Sequence, residues 1–192
     1  MRVCLRHSLS DIFFHEPKMQ SPSILILTTG GTIDKQYFDA LSQYQITDSM
    51  VTKVLSVGLV THPYRVVEIA RKDSLDLTDE DRAKLVACVR SSKSSRVIVT
   101  HGTDTMTLTA DALAGISDKT IVLVGALSPA RFSESDAAFN LGMAFATVQT
   151  ATPGVYITMN GSVFNADTVT KDRSQGRFVL KSSGPRSRLI SP

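Results

Sequence analysis

The chain predicts an α/β fold: an open, doubly wound, mostly parallel sheet flanked by helices, Rossmann- or flavodoxin-like, in a single domain. Three observations predict it. Short apolar, β-branched runs recur along the sequence, helical patterns stand between them, and polar turns rich in Gly and Thr follow the runs. The 192 residues suffice for one domain with a sizeable core and are too few for two ordinary ones.

In chain order, residues 24–28, 65–70, 96–100, 120–124 and 154–159 read as strands. They are taken as continuously apolar rather than alternating, the pattern of strands covered on both faces of a parallel sheet. A weak helical pattern spans about 49–57. Thr78 opens a stronger helix as its N-cap, with Asp79, Glu80 and Asp81 in the first turn, where the helix dipole favours acids. Leu85, Val86 and Val89 form its apolar stripe. The next helix starts near Asp104, runs through Leu108 and Leu113, and stops at Gly115. Another follows Ser133 and carries Phe139, Leu141 and Phe145. The domain is set at residues 21–180, with an extension over 1–20 and a Ser-, Pro- and Arg-rich tail over 181–192.

Hydrophobic residues make up 42% and charged residues 20%, which fits a soluble globular protein. The net charge is +3, with Arg2, Arg6, Arg177, Lys181, Arg186 and Arg188 near the ends. Without an aromatic-rich basic stripe these read as solvated ends, so no nucleic-acid partner is expected. No apolar run approaches a membrane span, and Ser, Asp and His interrupt any signal-peptide core, so neither a membrane nor a leader is expected. Cys4 and Cys88 suggest no disulfide framework, metal site or cysteine nucleophile, and Cys88 reads as a small buried hydrophobe. The expectation is a cytoplasmic protein without metal or cofactor.

In open α/β sheets, ligands sit beyond the carboxyl ends of the strands. The first strand ends in Thr28-Thr29-Gly30-Gly31-Thr32-Ile33-Asp34-Lys35. Two glycines permit a tight turn and close approach by a ligand, and a hydroxyl follows. Neither the dinucleotide fingerprint nor the P-loop spacing is present. A plain glycine turn or a loose phosphate loop explains the glycines as well. The third strand ends in Thr100-His101-Gly102-Thr103-Asp104-Thr105-Met106, where free backbone N–H groups favour an anion or a developing oxyanion. Helix capping by Thr103 or Asp104 is the competing account. His101 is expected to be a packed, hydrogen-bonded structural residue rather than a base.

Thr29-Gly30-Gly31-Thr32-Ile33 and His101-Gly102-Thr103-Asp104-Thr105-Met106 together resemble the two signature stretches of the bacterial-type L-asparaginases. Asp73-Ser74-Leu75-Asp76 resembles that family's substrate-binding turn. Val124-Gly125-Ala126 followed by Asp136-Ala137-Ala138-Phe139-Asn140-Leu141 resembles its next strand and helix, and Thr168-Val169-Thr170-Lys171 the stretch with its catalytic lysine. The resemblance covers roughly residues 23–178. It implies that Thr32 is the nucleophile that attacks the side-chain amide, releases ammonia and leaves an acyl-enzyme for water. Tyr37, with Tyr44 as a second candidate, matches the loop tyrosine that serves it. Thr103, Asp104 and Lys171 match the second catalytic cluster. Ser74 matches the residue that holds the substrate α-carboxylate, and Asp104 also contacts the amino-acid head group. Gly31, Asp76 and backbone near Thr103 and Ala126 complete the substrate pocket. The implied substrate is L-asparagine, with L-glutamine or a broader amide range as alternatives.

The chemistry carries two tensions. Ionising a free tyrosine at neutral pH costs about 4 kcal/mol, and the Lys35 charge is expected to lower that cost. Lys171 must be neutral to act as a base, whereas a neighbouring Asp104 carboxylate favours its charged form, so a relay or electrostatic role is expected. The family carries a second, smaller domain beyond the point where this chain ends. The expectation drawn from that is a high KM and a homodimer or homotetramer. A non-catalytic remnant that binds an amino acid, and a flavodoxin-like phosphate binder, are the readings from other classes. Neither accounts for Thr32, Thr103, Asp104 and Lys171 together.

Overall fold

A computed structural model describes residues 23–181. The extension expected over 1–20, with Cys4, lies outside these residues, as do 182–192 of the expected tail. The elements are β1 (Ile24–Gly30), β2 (Lys35–Phe38), β3 (Gln43–Ile46), α1 (Val51–Val57), β4 (Tyr64–Lys72), α2 (Asp79–Ser91), β5 (Arg96–Thr100), α3 (Met106–Leu113), β6 (Thr120–Val124), α4 (Ala137–Thr150), β7 (Gly154–Met159), β8 (Ser162–Asn165), β9 (Val169–Asp172) and β10 (Arg177–Leu180).

The main sheet has the order β4-β1-β5-β6-β7-β8, parallel except for β8, which pairs antiparallel with β7. Numbered within the sheet, that is 2-1-3-4-5-6, the flavodoxin-like order with one strand added. Two short antiparallel hairpins, β2–β3 and β9–β10, stand apart from it.

Alternation through the buried strands divides the core into two layers. Leu25 and Leu27 of β1 and Val97 and Val99 of β5 face α2 and α3, where Leu85, Val89, Met106 and Leu113 meet them. Ile24, Ile26 and Ile98 face the opposite way, against Val51 and Leu55 of α1 and Leu141 and Phe145 of α4. Helices therefore cover both faces, and the sheet is doubly wound. Two sequence expectations shift, and one apolar residue of α4 lies outside the core. β4 is an edge strand, paired only with β1, and none of its side chains is fully buried: Arg65, Glu68 and Arg71 are exposed and the rest half-buried. Phe139 lies on the outer face of α4 and is 62% exposed. Lys181, the first residue of the expected tail, is still held, its N–H donating to Thr168 O at 2.7 Å.

α2 begins in a reciprocal cap. Thr78 Oγ1 accepts from the Asp81 N–H at 3.2 Å, and Asp81 Oδ2 accepts from the Thr78 N–H at 3.0 Å. The same carboxylate holds Lys72 Nζ at 2.7 Å, which ties the helix to the end of β4. Asp81→Ala removes the cap's return bond and the partner of Lys72 together. It is expected to destabilise the fold by about 2 kcal/mol and to lower Tm by roughly 5 °C, read by thermal unfolding. An unchanged Tm would mean that water replaces both contacts without loss.

Candidate active site

The chain crosses from one side of the sheet to the other between β1 and β5, and the crevice of such a fold opens at the carboxyl ends of those two strands. β1 runs into Gly30 and Gly31 at φ +91° and +88°, a backbone conformation that side chains resist. There is also no room for a side chain: a Cβ on Gly31 would stand 2.5 Å from the Gly102 nitrogen. That contact seats the β1 turn directly on the loop after β5. Thr32 follows, half-buried, at the start of a short 3-10 turn. Its neighbour Ile33 packs with Ala126, the residue that leaves β6.

Ser74, from the turn after β4, closes on the same loop. A Cβ on Gly102 would stand 2.7 Å from Ser74 Oγ. The Ser74 hydroxyl is buried without a hydrogen-bond partner among the described residues. Thr105 Oγ1 donates to Ser74 O at 2.6 Å and fixes this turn against the loop after β5. Asp76, in the same turn, is exposed to solvent.

Lys171 arrives from β9. Its Nζ stands 2.7 Å from both Thr103 Oγ1 and Asp104 Oδ1. The lysine side chain is 14% exposed and that of Asp104 36%. This answers the capping account of Thr103 and Asp104. α3 starts at Met106 with no side-chain cap, and both groups are turned to Lys171 instead. An ammonium that donates to Thr103 Oγ1 leaves the Thr103 O–H free to donate outward. It also places positive charge beside any negative charge that develops there.

The two candidate tyrosines are cross-strand partners. Tyr37 of β2 faces Tyr44 of β3 with ring centroids 5.3 Å apart, and Tyr44 meets Phe132 at 6.2 Å. Tyr37 is 45% exposed and rests on this aromatic group. Lys35, the cation expected to assist the tyrosine, has a carboxylate partner of its own. Lys35 Nζ pairs with Asp73 Oδ2 at 2.7 Å, so its charge is directed to the turn that carries Ser74. Burial pushes the Asp73 carboxyl up, but the hydrogen bond from Lys35, the backbone N–H groups of Leu75 and Ser74 and the Lys35 charge together hold the group below its ordinary range.

Three polar side chains within these motifs support the site in ways that the sequence does not reveal. Asp34 is buried, its Oδ1 accepts from the Met50 N–H at 2.8 Å, and burial raises its pKa. Asp136 spends its carboxylate on the N–H groups of Leu127 and Ser128 at 3.0 Å, which shapes the loop beyond Ala126. Asn140 Nδ2 donates to Gly125 O at 3.1 Å. The signal for these was Asp or Asn beside a glycine turn or a helix start, which also fits ordinary capping. Among the described residues no three His, Cys, Asp or Glu side chains gather as a metal site.

His101 is fully buried, and both ring nitrogens are occupied, by Gly102 O and Thr109 Oγ1 at 2.7 Å each. Burial pushes its pKa down to about 4. The unfolded chain binds this proton near pH 6.5, the folded chain only near 4. The unfolded state therefore holds more protons between those values, and stability falls as pH drops through that window. A loss on the order of 3 kcal/mol is expected, at about 1.4 kcal/mol per pH unit. Urea unfolding from pH 7 to 4 measures it, and His101→Gln should flatten the slope. An equal slope in both proteins would assign the loss to other groups.

The family model for the asparaginase N-terminal domain matches residues 23–187. A probable periplasmic L-asparaginase of Haemophilus influenzae is 33% identical over 78% of this chain and 46% of its own length. L-asparaginase 2 of Escherichia coli K12 is 31% identical over 84% of this chain and 49% of its own. The chain thus spans about half the length of these relatives. The thermostable L-asparaginase of Thermococcus kodakarensis superposes with a TM-score of 0.73 at 24% identity, covering 84% of this chain and 52% of that one. Among the described residues no helix is long and apolar enough to cross a membrane.

Proposed function

The chain belongs to the asparaginase N-terminal domain family, and from that premise we propose that it hydrolyses L-asparagine to L-aspartate and ammonia, with L-glutamine as the alternative substrate. The observation that carries this reading is the Lys171 ammonium at 2.7 Å from both Thr103 and Asp104, on a loop packed against the turn that bears Thr32. Two threonine hydroxyls, a cation and a carboxylate at converging strand ends suit acyl transfer through a hydroxyl nucleophile.

In the proposed reaction Thr32 Oγ1 attacks the side-chain amide carbon and Tyr37 takes its proton. The C–N bond breaks, nitrogen leaves as ammonia with a proton returned to it, and an ester on Thr32 remains. Water then attacks that ester, frees aspartate and restores the hydroxyl. Lys171 holds Thr103 Oγ1, so that the Thr103 O–H serves the reacting groups. The Ser74 hydroxyl, without a partner among the described residues, receives the substrate α-carboxylate, and the exposed side of Asp104 the amino group. Asp76 is assigned to the rim of this turn. Backbone at Gly31, Thr103 and Ala126 lines the amide pocket.

Ammonia release from asparagine and glutamine, from micromolar to tens of millimolar, tests the reading. Turnover of either amide that Thr103→Ala abolishes supports it. No ammonia from either substrate would leave an amino-acid-binding protein in its place. A homodimer or homotetramer and a cytoplasmic location belong to the same proposal. Exposed Phe139 and Val163, beside the β7–β8 turn, support self-association, which sedimentation at micromolar concentration decides. The free thiol of Cys88 suits a reducing compartment, and cell fractionation decides between it and the periplasm.

A further inference from the structure

We propose that His101, Thr109 and Arg82 are positioning residues for the reaction: a one-way line of hydrogen bonds from α2 through α3 that fixes the Gly102–Thr103 peptide in the site. The inference rests on the function proposed above and concerns residues to which that function gives no role.

The direction of the line follows from the donors. Gly102 O can only accept, so His101 Nδ1 carries the proton and donates to it at 2.7 Å. Nε2 is then an acceptor and takes the Thr109 O–H at 2.7 Å. The Thr109 oxygen accepts in turn from Arg82 Nε at 3.3 Å. Arg82 is itself anchored by Asp79, whose Oδ1 accepts from Nη1 at 3.0 Å. Only one tautomer of His101 satisfies the line, and burial, which favours the neutral ring, removes the competing charged form.

The line ends in a closely packed part of the site. The Gly102 backbone touches the Gly31 turn on one side and Ser74 on the other. The Gly102 C=O and the Thr103 N–H share one planar trans peptide and point in opposite directions. Holding the carbonyl on His101 therefore aims the Thr103 N–H away from the core, towards the site. The same bond sets the base from which Thr103 Oγ1 meets Lys171. A tilt of this peptide moves the Thr103 N–H and Thr103 Oγ1 together and presses on the Gly31 turn and Ser74. His101 touches none of the reacting atoms and acts through Gly102.

The test pairs a spectroscopic readout with kinetics. Imidazole 15N shifts of the wild-type protein should show His101 as the Nδ1–H tautomer between pH 6 and 8. Thr109→Val should lower kcat by about 10- to 100-fold with KM within about three-fold, in a protein with wild-type circular dichroism. Thr109→Ser, which keeps the hydroxyl, should return kcat to within about three-fold of wild type. If Thr109→Val does not fold, Arg82→Met serves instead and should lower kcat while leaving KM in place. An Nε2–H tautomer in the wild type, or an unchanged kcat in Thr109→Val or its substitute, overturns the line. A wild type that releases no ammonia from either amide overturns the underlying function instead.

Discussion

Thr32→Ala is expected to lower ammonia release by about four orders of magnitude or more, because removal of a nucleophile leaves only the binding and electrostatic parts of catalysis. The fold should survive the change. Thr32 is half-buried rather than part of the core, and the conformation of the turn is set before it, by Gly30 and Gly31. Affinity for the product aspartate should stay within a few-fold, since the groups proposed for its head group lie on Ser74 and Asp104. Thr32→Ser should keep a measurable fraction of activity. The rival nucleophile is Thr103, whose oxygen already touches Lys171 at 2.7 Å. Mass spectrometry after rapid acid quench separates the two by locating the acyl group on one tryptic peptide or the other. An acyl group on the Thr103 peptide, or Thr32→Ala within ten-fold of wild type, would reverse the assignment of the two threonines.

The sheet was largely legible because its central strands are buried on both sides. β5, β6 and β7 start and stop where their apolar runs do, between polar turns. β4 misled because strong pairing on one side suffices for a strand, while its free edge tolerates Arg65, Glu68 and Arg71. The hairpins were not legible. β2, β3, β9 and β10 have four residues each, carry exposed polar side chains and bury few apolar groups, so no period stands out. This bears directly on the site. The choice between Tyr37 and Tyr44 looked like a choice between two loop positions, yet the β2–β3 register makes them face each other. Either substitution then disturbs the other ring. Lys171 meets Thr103 and Asp104 across 68 and 67 residues, a contact that no local pattern encodes and that only the family resemblance supplied. The Lys35–Asp73 pair, 38 residues apart, is equally invisible to local pattern, which offers Lys35 only the tyrosine nearest in sequence.

Lys171→Met is expected to lower kcat by about 10²- to 10³-fold, with KM less affected, because it removes a positioned donor from the reacting region. Two effects combine. The Thr103 oxygen loses the ammonium that it accepts from, so its own proton is no longer aimed, and the Asp104 carboxylate loses its counter-charge. A structural explanation would require β9 to detach, and the anchors of the hairpin argue against that. Val169 and Phe178 are buried in the main core, the Phe178 N–H donates to Asn160 Oδ1 at 2.9 Å, and the Lys181 N–H donates to Thr168 O at 2.7 Å. The ion pair is partly solvated on its Asp104 side, so its loss should destabilise the fold by no more than about 1 kcal/mol. Lys171→Arg keeps the charge but presents a planar fork where one compact ammonium reaches two oxygens, and it should recover little of the rate. Asp104→Asn on the Lys171→Met background should add far less than on wild type if the pair acts as a unit. Steady-state kinetics of the four proteins, with Tm for each, decides. Additive losses in the double variant would mean that Lys171 and Asp104 serve separate steps, and a Lys171→Met rate within ten-fold of wild type would remove the lysine from the mechanism.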